Sequence, residues 1–180
     1  MKPLRRTTRE TAVEVRTAAV GEPSSIDTTI PFLDHMLATL VRYSGLDLSI
    51  SAHGDLPHHL IEDVAITVGA FLASSVPATA ARYGDRTIPM DDALVQCVVD
   101  LGGRPYYRGP LPSSLFDHWM RSFSDNARVT LHIRVIRGTD RHHVVEAAFK
   151  ALGLALRDAL RETDAVFSTK GTAVLEGEGT

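Results

Sequence analysis

The sequence predicts an α+β fold made of two copies of one sheet-plus-helix module, and three observations carry that prediction. The chain repeats itself at an offset of about 83 residues; each copy holds runs that alternate apolar and polar residues; each copy also holds an amphipathic helical stripe. The repeat has three anchors in the same order. Glu10-Thr11-Ala12-Val13 aligns with Asp92-Ala93-Leu94-Val95, and Phe32-Leu33-Asp34-His35-Met36-Leu37 aligns with Leu115-Phe116-Asp117-His118-Trp119-Met120. Further on, His58-His59-Leu60-Ile61-Glu62 aligns with His142-His143-Val144-Val145-Glu146. The two pseudo-symmetric halves, roughly 1–86 and 87–180, read as one domain over 1–180 rather than as independently folding units.

Taken in order, Ala12, Val13 and Val15 open the first module as a strand, and Ala93 through Val99 do so in the second. A short helix follows, because Leu33, Met36, Leu37 and Leu40 recur at helical spacing and carry the Asp-His pair. A second strand is predicted over Leu46 to Ala52, and over Val129 to Ile136, where Val129, Leu131, Ile133 and Val135 alternate. The closing helix of the first module has Leu60, Ile61, Val64, Val68, Phe71 and Leu72 as its stripe, with Pro57 suited to its first turn. In the second module Val144, Val145, Ala148, Phe149, Leu152, Leu156 and Leu160 form the stripe, and Asp140 is placed to cap it. Arg82 to Pro89 reads as a turn-rich link, and residues 102–114, rich in Gly and Pro, read as a strand end and a loop.

Composition narrows the function. A formal charge of −3 and the absence of an aromatic-rich basic strand argue against an RNA-binding module or any partner that is nucleic acid. No apolar run is long enough to span a bilayer, and the first ten residues lack the apolar core of a secretory signal, so no membrane partner is expected and a cytoplasmic protein is the simplest account. The single cysteine, Cys97, lies in an apolar run and reads as a buried thiol.

Histidine is the informative residue. Of the 8 histidines, six fall in matched positions of the repeat. On a helix, residues four apart share a face, so His58 with Glu62, and His142 with Glu146, can each grip one ion. The adjacent His59 and His143 point elsewhere and can serve a different ion, while His35 and His118 fill a further position at each site. One His-His-x-x-Glu helix by itself is more often a solvated face; its repetition residue for residue reverses that reading. Imidazole and carboxylate donors without thiolate suit Mn, Fe, Co or Zn, and an open six-coordinate site favours Mn. The order is not His-Glu-x-x-His, so the metalloprotease helix is absent. His53 and His132 have no matched counterpart and read as a loop residue and an exposed strand residue.

These residues, in this order, resemble the imidazoleglycerol-phosphate dehydratase family over nearly the whole chain. The resemblance runs from Arg6-Thr7-Thr8-Arg9-Glu10-Thr11 through the Asp-His and His-His motifs to Arg82-Tyr83-Gly84, Pro89-Met90-Asp91-Asp92-Ala93 and Asp100-Leu101-Gly102-Gly103-Arg104-Pro105. It ends in Glu146-Ala147-Ala148-Phe149-Lys150 and Ser168-Thr169-Lys170-Gly171. It implies halves similar to the second domain of ribosomal protein S5, and a hydro-lyase of histidine biosynthesis that converts D-erythro-imidazoleglycerol phosphate to imidazole acetol phosphate and water. It implies two Mn2+ per active site, held by positions matching His35, His58, His59, Glu62, His118, His142, His143 and Glu146, the set the repeat also picks out. A phosphate pocket of Arg82, Arg104, Lys150, Ser168 and Lys170 is implied too, in keeping with what guanidinium and ammonium groups offer a phosphate.

Glu10 matches the family's acid–base carboxylate, with Asp92 as a second candidate. In the implied reaction a hydroxyl leaves beside an imidazole ring, a proton leaves the next carbon, and the enol becomes a ketone; coordination of both ring nitrogens favours the imidazolate that expels the hydroxyl. The family assembles as trimers that metal links into a 24-subunit shell, which makes a homo-oligomer the expected state.

Several departures from the family pattern are visible. The loop Gly54-Asp55-Leu56-Pro57 is short, Asp92 stands where Glu is usual, Phe167 replaces a proline, and the turn from Gly21 to Ser25 is abbreviated; none touches an expected ligand. Two other readings compete. A metal-storage protein leaves Glu10, Arg104 and Lys170 without a role, and a metal-dependent phosphohydrolase would want carboxylate-rich rather than imidazole-rich sites.

Overall fold

The computed structural model describes residues 2–102 and 104–164. The first module contains β1 (Leu4–Thr7), β2 (Thr11–Thr17), β3 (Ile26–Asp27), α1 (Pro31–Ser44), β4 (Leu48–Gly54) and α2 (Pro57–Ala73). The second contains β5 (Tyr83–Met90), β6 (Ala93–Asp100), β7 (Tyr106–Arg108), α3 (Ser114–Ala127), β8 (Thr130–Arg137) and α4 (Arg141–Leu160). The two sheets have the same order, β1-β2-β4-β3 and β5-β6-β8-β7. They also share the same sense, two antiparallel pairs followed by one parallel pair. The duplicated α+β fold is thus present in its topology as well as in the sequence.

Alternation on the central strands turns one face of each sheet inward. Val13 and Val15 of β2, and Val95, Cys97 and Val99 of β6, are almost fully buried, while their neighbours in sequence reach solvent. α2 packs on β1, β2 and β4, and α4 packs on β5 and β6, with their apolar stripes buried. The modules join through their helices, α2 against α3 and α1 against α4. One contiguous core cluster runs through both halves. No helix among the described residues is long and apolar enough to cross a membrane.

Two repeat-matched glycines permit that crosswise packing. A Cβ at Gly69 of α2 would lie 2.7 Å from the Phe123 carbonyl oxygen and 2.9 Å from the Ala127 nitrogen of α3. A Cβ at Gly153 of α4 would lie 2.8 Å from Tyr43 Cβ of α1. Glycine is required at both positions because each helix approaches another helix's backbone.

The structure corrects several readings. Arg82 to Pro89 is not a link: from Tyr83 onward it is the edge strand β5, paired along its length with β6, so the second sheet begins a few residues before the boundary placed at 86 and 87. Its polar, Pro-containing sequence is what an edge strand uses to avoid further pairing. Of the described residues in the stretch 102–114, Tyr106–Arg108 form the short strand β7 and Ser114 already begins α3. β1 and β3 were not anticipated, and β4 runs about two residues later than expected, which places His53 on an exposed strand end rather than in a loop.

Candidate metal centre and active site

Each histidine pair sits in the first turn of its helix. α2 starts at Pro57 with no side-chain cap. α4 is capped by Asp140, whose carboxylate accepts from the backbone N–H groups of His142 and His143. His35 and His118 lie in the second turns of α1 and α3. The crosswise helix packing then pairs each of them with the opposite module.

His35 Nε2 lies 3.3 Å from Glu146 Oε2, and His142 Nε2 lies 3.1 Å from the same oxygen. The donor atoms of His35, His142 and Glu146 all fall within 4.8 Å of one another. The Glu146 side chain is only 9% exposed. Burial alone would raise its pKa, but the hydrogen bonds from Lys150 and His35 outweigh it and hold the carboxyl below its ordinary range. In the mirror-related place, His118 Nε2 lies 3.3 Å from Glu62 Oε2, whose side chain is 40% exposed. His58 is not gathered into that cluster; its ring lies against His59, tilted by 60° with centroids 4.0 Å apart.

The second histidine of each pair faces away from its own chain's cluster and meets carboxylates. His59 Nδ1 is 3.0 Å from Asp55 Oδ1 and 3.3 Å from Glu10 Oε2. His143 Nδ1 is 2.8 Å from Asp92 Oδ1, and its Nε2 is 3.3 Å from Asp91. Both imidazoles have raised pKa values, chiefly through the hydrogen bonds to Asp55 and Asp92. Asp92 also accepts from Thr139 N, Thr139 Oγ1 and Asp140 N, and these bonds, with His143, hold its carboxyl far below the usual range.

Among the described residues, the expected phosphate-binding groups fall into two places, Lys150 at one end of the second sheet and Arg82 and Arg104 at the other. Lys150 Nζ donates to Glu146 Oε1 at 2.9 Å and lies against Met90. Arg82 is paired with Asp100 at 2.7 Å, and its backbone N–H donates to Ala159 near the far end of α4. The nine residues from Lys150 to Ala159 correspond to roughly 13 Å of helix. Arg104 lies near Thr130 at the Arg82 end of the second sheet, where its carbonyl accepts from the Thr130 hydroxyl. Ser168 and Lys170, with Phe167, lie outside the described residues.

Sequence reasoning gave no role to Asp55 or Asp91. For Asp55 a signal was present: it stands four residues before His59, one helical turn away.

The family model for imidazoleglycerol-phosphate dehydratase matches residues 28–156. The imidazoleglycerol-phosphate dehydratase of Dictyoglomus thermophilum is 43% identical, over 93% of this chain and 96% of its own. That of Pyrobaculum calidifontis is 46% identical, over 93% and 97%. Among solved structures, that of the dehydratase from Pyrococcus furiosus superposes with a TM-score of 0.86 at 41% identity, covering 94% of this chain and all (100%) of that one.

Proposed function

The chain belongs to the imidazoleglycerol-phosphate dehydratase family, and from that membership and its paired histidine–carboxylate clusters we propose that it works with two Mn2+ ions per active site. It is a hydro-lyase that converts D-erythro-imidazoleglycerol phosphate to imidazole acetol phosphate and water, a step of histidine biosynthesis.

The donor chemistry fits a divalent ion. Lys150 holds Glu146 Oε1, while two imidazole Nε2 atoms converge on Oε2, and this grouping of imidazole and carboxylate donors within reach of one another suits a divalent ion. His35, His142 and Glu146 would hold one ion; His118 and Glu62, with His58 once its ring turns from His59, would hold the second. His59 and His143 face away from both sets and would be free to serve an ion of a neighbouring subunit. Such ions would supply Lewis acidity toward an imidazole substrate.

The chain's own groups then do the rest. Glu10 carries protons between the reacting carbon and the departing hydroxyl: its side chain is 56% exposed and stands at the edge of the His59 cluster, where substrate can reach it. Asp92 occupies the matching place in the second module, but its oxygens are already engaged, so its contribution passes through His143. Arg82, Arg104, Lys150, Ser168 and Lys170 bind the phosphate and fix the reacting carbons against the ions. Because Lys150 and Arg82 stand far apart within one chain, the complete pocket draws on more than one subunit. It is in keeping with a homo-oligomer; the assembly of trimers joined into a 24-subunit shell, the cytoplasmic location and the single-domain chain are proposed from the family membership alone.

The crosswise cluster of His35, His142 and Glu146 is the observation that carries this reading. Its test is a metal-stripped assay with imidazoleglycerol phosphate, following the ketone product with and without Mn2+. Turnover should return with Mn2+, and Glu10→Gln should abolish it while bound metal stays unchanged. Full metal occupancy without turnover in the wild-type protein would overturn the assignment and favour a storage role.

A further inference from the structure

The two modules hold their second histidines by different carboxylates, although the repeat gives them matching acidic residues. In the second module the matched residue itself, Asp92, reaches His143 Nδ1 at 2.8 Å. Its other oxygen is anchored by Thr139 N at 2.7 Å, Thr139 Oγ1 at 2.9 Å and Asp140 N at 3.2 Å. In the first module the loop residue Asp55 takes that contact at 3.0 Å and is itself fixed by accepting from Leu56 N at 2.6 Å. Glu10, the repeat partner of Asp92, is left at the longer 3.3 Å.

We propose that Asp92 and Asp55 are positioning residues that orient His143 and His59 as ion donors, and that this exchange of partners is what leaves Glu10 to the proton chemistry. The inference rests on the metal-dependent reading above. A carboxylate accepts only, so a neutral ring facing it through Nδ1 keeps its proton there and presents the Nε2 lone pair outward. Three hydrogen bonds on Asp92 Oδ2 prevent the carboxylate from following the ring, so the ring is aimed as well as set in one tautomer. Two other acidic groups act on this ring: Asp140, which caps α4, and Asp91, 3.3 Å from Nε2 and 68% exposed, on the side an ion would approach. His142 lies edge-on to the same ring, with centroids 6.0 Å apart.

The test is direct Mn2+ binding by the metal-stripped full chain, with free Mn2+ read by electron paramagnetic resonance. In Asp92→Asn the amide oxygen can keep the Thr139 and Asp140 bonds, but its NH2 faces Nδ1 and drives the ring proton to Nε2. One of the two ions should weaken by about 10–100-fold, the other remaining as in wild type. Asp92→Glu should restore binding, and Asp91→Asn should leave it unchanged. Wild-type affinity for both ions in Asp92→Asn, or an equal loss in Asp91→Asn, would overturn the proposal while leaving the functional reading intact. Absence of Mn2+ binding by the wild-type chain would instead overturn both. Should Asp92→Asn disturb the start of α4, the nitrogen chemical shifts of the His143 ring in the metal-free wild-type protein at alkaline pH decide the matter: the Nδ1–H form is expected, and the Nε2–H form refutes it.

Discussion

Asp140 accepts from His142 N at 2.7 Å and His143 N at 3.4 Å, so the residue that closes the amino end of α4 also steadies the turn that carries the histidine pair. It answers donors that have no partner inside the helix and places negative charge at the positive end of the helix dipole. Asp140→Ala should lower the stability of the metal-free protein by about 1 kcal/mol. Urea unfolding followed by circular dichroism checks this, and an unchanged midpoint would show the cap to be idle. Such local roles were legible in the sequence. Asp140 as a cap, Pro57 at the start of α2 and Cys97 in the core follow from each residue and its immediate neighbours. Asp55 left only its four-residue spacing to His59 as a trace, because its role needs a side chain lying outside the helix to turn back onto the ring. Nor was the engagement of Asp92, since Thr139 and Asp140 meet it from across the second sheet.

Among elements, the central strands and long helices were legible and the edges were not. β6 and α4 are buried on the faces their periodicity marks, whereas the edge strands look like connections, β5 because it is polar and bears Gly and Pro, β7 because it is only three residues long and flanked by Pro105 and Gly109. The crosswise pairing of helices was invisible in hydrophobic pattern alone; its trace is the glycine at matching places in α2 and α4. Gly69→Ala tests how tightly that pairing is set. Alanine gains roughly 1 kcal/mol of helix propensity. The added Cβ, however, meets backbone atoms of α3 at 2.7 and 2.9 Å, which cannot rotate aside. Overpacking of this kind costs about 1–3 kcal/mol, so the net effect should be destabilising. The shift of α2 from α3 should also loosen the His118–Glu62 pair and weaken Mn2+ binding. A thermal melt together with a Mn2+ titration measures both, and a stabilised Gly69→Ala protein would show that the helices can separate without strain.

At the scale of the whole molecule, duplication explains why the site is shared. Each module supplies a helix bearing His-His-x-x-Glu and a helix bearing Asp-His, and packing them crosswise lets each module complete the other's cluster. The sequence marked the candidate donors, and the approach of His142 to Glu146 along α4 follows from their spacing, whereas His58 is turned from Glu62 onto His59. It could not disclose which module answers which, because that depends on helix packing. The same geometry leaves His59 and His143 turned outward, and it leaves Lys150 and Arg82 at opposite ends of the second sheet. If these groups act in one site, as proposed above, they meet across subunit boundaries, and ions should then join subunits as well as serve catalysis. The core contains none of the outward histidines, so a subunit should keep its fold without metal. Stripping the ions should therefore reduce particle mass, with far-UV circular dichroism nearly unchanged, and added Mn2+ should restore the larger species. Size-exclusion chromatography with light scattering reads the mass directly. His143→Ala should keep the smaller, folded species even in excess Mn2+. A large assembly that survives both complete metal removal and that substitution would show that apolar contacts, rather than ions, hold the shell together.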